Sequence, residues 1–402
     1  MPEWPGVQRA NTPLAKMTGH QQSGSEIPMI SKNRVNPEAI SRFRLGRHHL
    51  LDEPPADAIT ICRDICGVQA QVMSSAFLQL WARNHAITRA EVETALWQSR
   101  TLVKTSLMRQ TLHLIPADEF PVYIAALKPS RLAGALRVMA KFGIVRDEAD
   151  ALTALIMDTL SSGPLGRPAI IAAVRPKVSK RVRSWMENVW SMVRIPVAEG
   201  LICYGHGESK EISFIRVDRW LPDLKAKSIS ETAAQCVLFR KYLRAYGPAT
   251  PGDFSHWAGI PMQQAKSLPA LLASELEEIP GEKKSCFLLR EDVAALNRRS
   301  GKQNCIRLLP SFDTYLLAHR AKDHLLSTKH YKRVYRNQGW ISAVVLFNGA
   351  VAGVWSYKLE GKKLLVEIEP FGRFLPTVRS AIQREAERLA MFFARDLECQ
   401  FV

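Results

Sequence analysis

The sequence has no uninterrupted apolar run of about 18 residues, the length a bilayer-spanning helix needs. Its first residues lack the apolar core of a secretion signal. No membrane partner is expected. Paired cysteine motifs are missing too. Seven cysteines, at 62, 66, 203, 236, 286, 305 and 399, form no CxxC pair, so a zinc ribbon or a thioredoxin-like centre lacks support. Cys62 and Cys66 stand four apart, as on one helix face, and core packing explains them. The scattered, odd-numbered set fits a reducing cytoplasm. No metal and no cofactor is expected. Acidic charge is the scarce sign: 38 Asp and Glu stand against 55 Lys and Arg, a net +17 over 402 residues.

The excess is clustered. Residues 167–194 hold seven Lys and Arg against Glu187 alone, and residues 296–340 hold ten against Asp313 and Asp323. Concentrated positive charge favours a polyanion or an anionic surface as partner. The length suggests two to four units.

Residues 1–33 are polar and carry Pro2, Pro5 and Pro13, and read as a disordered extension, with Met29 as a possible alternative start. Beyond them a beat of helix, turn, helix and hairpin recurs. Thr88 and Glu91 form a capping box that opens a helix through Trp97, followed by strands near 102–107 and 111–115. Gly163-Pro164 precedes a second pair of helices and a hairpin turning at Gly205-His206-Gly207. Gly247-Pro248 leads to Thr250 as an N-cap, Pro251 at the first helical position and Asp253 in the first turn. A hairpin turning at Gly281 follows. This order is the winged-helix pattern. The C-terminal part alternates apolar residues up to Asn348-Gly349, a hairpin signal, and turns again at Glu360-Gly361. Residues 376–397 read as one amphipathic helix with Val378, Ile382, Leu389 and Phe393 on its buried stripe.

The expectation is therefore an α+β fold: a disordered extension (1–33), three tandem winged helices (34–122, 123–225 and 226–297), and a C-terminal small β-barrel or sheet domain with a terminal helix (298–402). An ordinary α+β fold with coincidental turns is the alternative. A monomer is expected, as no heptad-like dimerisation helix is visible.

One short segment has chemical interest. Ala58, Ile61, Cys62, Ile65 and Cys66 share a helical stripe that Gly67 is placed to end. Ser74 and Ser75 can cap the next helix. The link between them, Val68-Gln69-Ala70-Gln71, would project both glutamines to one side if extended. On a continuous helix they would diverge by roughly 200°. From the residues alone, glutamines that are exposed, or that tie down a local turn, are the favoured reading.

Gly67-Val-Gln-Ala-Gln71, followed by Leu80-Trp-Ala-Arg83, resembles the signature of the winged-helix AlkZ-like family of bacterial azinomycin-resistance and crosslink-repair glycosylases. Leu107-Met-Arg-Gln-Thr-Leu-His-Leu114 and Leu308-Leu-Pro-Ser-Phe-Asp-Thr-Tyr-Leu-Leu-Ala-His-Arg320 are similar as well, as are Arg244-Ala-Tyr-Gly-Pro-Ala-Thr and the strands after Trp340. The resemblance covers roughly residues 38–402. It places the chain in the Gln–aliphatic–Gln branch and departs from the family at Gln110, where glycine is expected.

The resemblance implies hydrolysis of the N-glycosidic bond of an alkylated purine in double-stranded DNA, with Gln69 and Gln71 as catalytic residues. An amide is no useful base, but it offers a carbonyl dipole and N–H donors. These can orient water and stabilise an oxocarbenium-like centre. That suffices when the leaving base is already cationic, as in N7-alkylguanine. A monofunctional, cytoplasmic and nucleoid-associated enzyme is expected. Arg109, His113, Arg320, Lys329, Lys332, Arg333 and Arg336 are the candidate DNA contacts. Alternatives stand beside them: a salt bridge for Arg109, a core histidine for His113, a solvated helix face for the 329–336 run. Asp313 is a structural or cleft residue, with a mutual ion pair to Arg320 as the plain reading. A non-enzymatic winged-helix DNA-binding protein or regulator is the alternative function.

Overall fold

The computed structural model describes residues 36–51, 54–188, 192–206, 212–224, 228–280, 285–298 and 304–402. The expected N-terminal extension, the Gly281 turn and the Gly207 end of the second hairpin turn lie outside the described residues.

Helix α1 (Pro37–Arg47) starts where the Asn36 side chain accepts from Glu38 N. Although it is the first helix among the described residues, its Phe43 packs with Ile279, Leu288, Val293 and Leu296, far along the sequence. Helix α2 (Ala58–Asp64) is capped by Asp57 and leads into β1 (Val68–Gln69). Helix α3 (Met73–Trp81) is almost wholly buried from Ser75 onward. The expected capping box opens α4 (Arg89–Glu93), which continues into a π-helical turn over Thr94–Gln98. Strands β2 (Leu102–Ser106) and β3 (Leu112–Pro116) form the first hairpin.

A long helix, α5 (Phe120–Ala140), follows, with Pro129 inside it. Then come α6 (Arg146–Thr159), β4 (Leu165–Gly166), α7 (Arg167–Val174), α8 (Lys180–Asn188), α9 (Arg194–Ala198), and the hairpin β5 (Ile202–Gly205) and β6 (Ser213–Arg216). The first two hairpins share one sheet. Lys104 of β2 pairs with Tyr204 of β5, which fuses them into one antiparallel six-stranded sheet of order β1-β3-β2-β5-β6-β4.

After α10 (Val217–Trp220) and α11 (Glu231–Tyr246) the structure follows the sequence closely. Helix α12 (Pro251–Ala258) has the Thr250–Asp253 capping box and ends at left-handed Gly259. Helix α13 (Met262–Leu271) precedes the hairpin β7 (Leu276–Ile279) and β8 (Cys286–Leu289), and α14 (Val293–Leu296) follows.

The C-terminal sheet contains β9 (Ile306–Leu309), then, beyond α15 (Tyr331–Val334), β10 (Val344–Phe347), β11 (Ala350–Glu360) and β12 (Lys363–Pro370). Asn348 and Gly349 both have positive φ, as a tight two-residue hairpin turn requires. The expected last helix is shorter. Helix α16 (Pro376–Phe393) stops because Ala394 turns left-handed, and β13 (Asp396–Phe401) then pairs in parallel with β12. The sheet order is β13-β12-β11-β10-β9. It is open, not a barrel, which corrects the barrel form of the expectation. Val378, Ile382, Ala386 and Leu389 of α16 close its core.

One apolar core runs from Cys66 through Ala318. It holds one face of the six-stranded sheet against α5 and α11, and reaches α12 and α13.

Candidate active site

The link after α2 is built by sterics. Cys66 and Gly67 both have positive φ, and Gly67 N donates to Cys62 O at 2.7 Å. A Cβ on residue 67 would lie 2.8 Å from Ile115 Cγ2 and 3.1 Å from Leu114 O, so only glycine lets the chain pass β3 here. The chain then becomes extended. Val68 pairs with Leu114, Gln69 pairs with His113, and Ala70 N donates to Leu112 O at 2.7 Å.

That register decides which side chains meet. Directly paired residues share a face, so Gln69, His113 and Thr105 form one row across β1, β3 and β2. Ala70 turns to the other side and is fully buried in the small core beneath. Gln69 is only 4 % exposed, whereas Gln71 is exposed and its Oε1 accepts a long bond from Leu112 N at 3.4 Å. The two glutamines thus differ in environment. Gln69 Oε1 is buried with no hydrogen-bond partner, and so is Thr105 Oγ1. A buried acceptor without a donor costs about 1–3 kcal/mol.

The backbone of Gln69 is held from behind. Gln79 Nε2 donates to Gln69 O at 2.8 Å, and Gln79 Oε1 accepts from Thr314 N at 3.2 Å. Arg83 donates to Gln79 O and forms a two-pronged pair with Asp313, both contacts 2.9 Å, with both side chains out of solvent. Ser75 Oγ lies 2.8 Å from Ser311 Oγ. Asp313 is therefore buried in an ion pair, and its partner is Arg83. Arg320 instead points its exposed side chain outward while its N–H donates to Asp253 Oδ1 at 2.9 Å. The mutual Asp313–Arg320 pair does not form.

His113 is buried, and its Nδ1 donates to Thr111 O at 2.9 Å. Burial, reinforced by the charges of Arg109 and Arg131, pushes it down to about 3, so it is neutral at physiological pH. The bond at Nδ1 leaves the lone pair on Nε2. Arg109 is half-buried and pushed down to about 10 by burial. Its Nη1 donates to Trp257 O at 2.7 Å, near the C-terminus of α12, where a cation is favoured. A Cβ on Gly259 would sit 3.3 Å from Arg109 N, so the β2–β3 tip and the end of α12 touch backbone to backbone. Both Arg109 and Gln110 have positive φ. The family's expected glycine thus falls where the backbone is left-handed.

The basic run lies elsewhere, on and around α15. Lys329, Lys332 and Arg336 are exposed and form no ion pair with described residues. Arg333 is tied down, paired with Glu369 and stacked 4.4 Å over Phe371. Tyr331, exposed, stacks on Tyr335 at 4.8 Å, and exposed Trp340 sits edge-on to Phe312 at 4.9 Å. Phe312 precedes Asp313, so this strip continues from the brace behind Gln69.

Three contributors were missed by sequence reasoning: Gln79, Arg83 and Thr105. Arg83 sits in one of the family motifs, which was a usable signal. Gln79 carries none, since its role rests on bonds to Gln69 and Thr314, which are distant in sequence.

The model of the family described as "DNA glycosylase AlkZ-like" matches residues 62–392. The chain belongs to this family of DNA glycosylases. The interstrand DNA cross-link repair glycosylase of Streptomyces sahachiroi is 31% identical over 373 residues, covering 87% of this chain and 95% of that protein. The solved structure of Streptomyces sahachiroi DNA glycosylase AlkZ superposes with a TM-score of 0.80 at 27% identity, over 92% of this chain and 100% of that one. No helix among the described residues is long and apolar enough to cross a membrane.

Proposed function

We propose that the protein hydrolyses the N-glycosidic bond of cationic alkylated purines in duplex DNA, N7-alkylguanine first among them. Gln69 and Gln71 are the catalytic residues of this reading. The observation that carries it is Gln69 Oε1, a carbonyl oxygen already stripped of water and left without a donor. Once bound DNA opens the site to it, its negative end can face an oxocarbenium-like C1′ or hold the attacking water. The Gln79 bond fixes where that dipole starts. Exposed Gln71 supplies the second amide, on the solvent side.

Neither amide takes a proton near pH 7, so the leaving base must depart without one. N7-alkylguanine does, because alkylation has already placed the positive charge on it. The naming of the Streptomyces sahachiroi relative for interstrand cross-link repair supports interstrand crosslinks as substrates. Three winged-helix units are our reading of the hairpins β2–β3, β5–β6 and β7–β8 with their preceding helices. In this reading the enzyme is a monofunctional monomer. The exposed Lys329, Lys332, Arg336 and Arg320, with Tyr331 and Trp340, hold the flanking duplex near the nucleoid.

The test is base release from a duplex carrying one N7-methylguanine. Release no faster than spontaneous depurination at saturating protein would reject the assignment. Gln69→Ala should lower the single-turnover rate by about 100-fold, with duplex affinity kept. Full activity in both Gln69→Ala and Gln71→Ala would reject the mechanism.

A further inference from the structure

Arg131 has no place in the reaction described so far. It belongs to the inward stripe of α5, one turn beyond Leu127 and one turn before Ala135. It is the only charged residue on that buried stripe. The side chain is 7 % exposed, and its Nη1 has no hydrogen-bond partner. No carboxylate pairs with it among the described residues. Burial pushes the guanidinium down to about 10, opposed only by the phenolic oxygen of Tyr204. It is close enough to His113 for its charge to oppose protonation of that ring. One turn further along α5, a Cβ on Gly134 would meet Gln110 Nε2 at 3.5 Å, which places this stretch of helix over the β2–β3 tip.

Burying a cation costs several kcal/mol unless an anion or a set of acceptors answers it. A methionine or leucine would complete the stripe at no such cost. A second cation, Arg109, stands beside the same histidine, and its charge also opposes protonation of that ring. The group that answers Arg131 is therefore an anion, and it belongs near His113, in the row that holds Gln69. A cationic base is excluded by charge. A phosphodiester matches the planar guanidinium fork.

We propose that Arg131 is a positioning residue that takes a backbone phosphate adjoining the lesion nucleotide. This rests on the glycosylase reading above and adds its anchor. Held there, the phosphate fixes the sugar relative to Gln69. It also cancels a positive charge that would otherwise oppose the cationic transition state.

The experiment uses the full chain and duplexes with one 2′-fluoro N7-methylguanine, which slows base loss. Each phosphodiester within two positions of the lesion is replaced in turn by an uncharged methylphosphonate. With the native protein, one position should lose about tenfold in affinity, the scale of a hydrogen bond to a charged group. In Arg131→Met, that same position should lose less than twofold. Arg131→Met should also flatten the slope of log affinity against log salt by about one phosphate. Arg131→Lys should restore part of both effects, which a purely structural role would not do. Equal losses in native and Arg131→Met protein at every position would overturn the proposal. So would an unchanged salt slope in a variant whose melting curve shows it folded. If native protein releases no N7-methylguanine yet shows the position-specific loss, the reaction assignment falls while the phosphate site stands.

Discussion

At the scale of single residues, the site sets function against stability at Gln69. Its buried amide oxygen lacks a donor, so an apolar side chain of similar length should suit the position better. Gln69→Leu is expected to raise stability by about 1 kcal/mol in urea titration while abolishing excision. A loss of stability instead would mean that the amide is satisfied in solution. The sequence made the glutamine pair visible, but not the asymmetry within it. That asymmetry comes from Leu112 and His113 lying across from the link, a pairing of residues more than forty positions apart. Asp313 shows the same limit. Its place in a motif was legible, yet its partner Arg83 was not, because nothing local separates Arg83 from Arg320 as a candidate.

At the scale of elements, the break between α2 and β1 is the feature on which the site depends. Gly67→Ala combines a positive φ with a Cβ placed 2.8 Å from Ile115 Cγ2. It is expected to cost about 2 kcal/mol or more in thermal or urea unfolding. It should also reduce excision in the fraction that remains folded, because Gln69 would lose its register with His113. This break was readable from the stripe of α2 and the glycine after it. Strand β13 was not. Its residues alternate between half-buried and exposed, and Asp396 and Glu398 are poor strand formers. The turn before it uses Ala394 at φ 50, where a glycine would have signalled the helix end. The helical period therefore ran on past Phe393 in the sequence reading.

At the scale of the whole molecule, buried histidines predict how the fold responds to acid. His48, His113 and His319 are all buried and all lowered by burial, His113 to about 3. As pH falls below about 6.5, the unfolded chain takes up these protons before the folded one does. Stability is therefore complete above that pH and is lost below it, by about 1.4 kcal/mol per histidine per pH unit until the folded value is reached. Urea midpoints between pH 7.5 and 4.5 should fall steeply, and His113→Gln should remove one share of the slope. The excision rate per folded molecule should stay flat over the same range, since neither amide proposed as catalytic titrates.

The contact between the β2–β3 tip and the end of α12 has a consequence for how the chain can be cut and recombined. Arg109 reaches Trp257 O, and Tyr246 Oη donates to Ile65 O at 2.8 Å. The repeated beat in the sequence suggests modules that could be exchanged between relatives. These bonds cross the borders of such modules, and the core from Cys66 to Ala318 does too. A graft cut at residues 226 and 297 would separate both bonds from their partners and open that core on two sides. Exchanges between relatives should succeed only when the hairpin tip travels together with the helix that receives it.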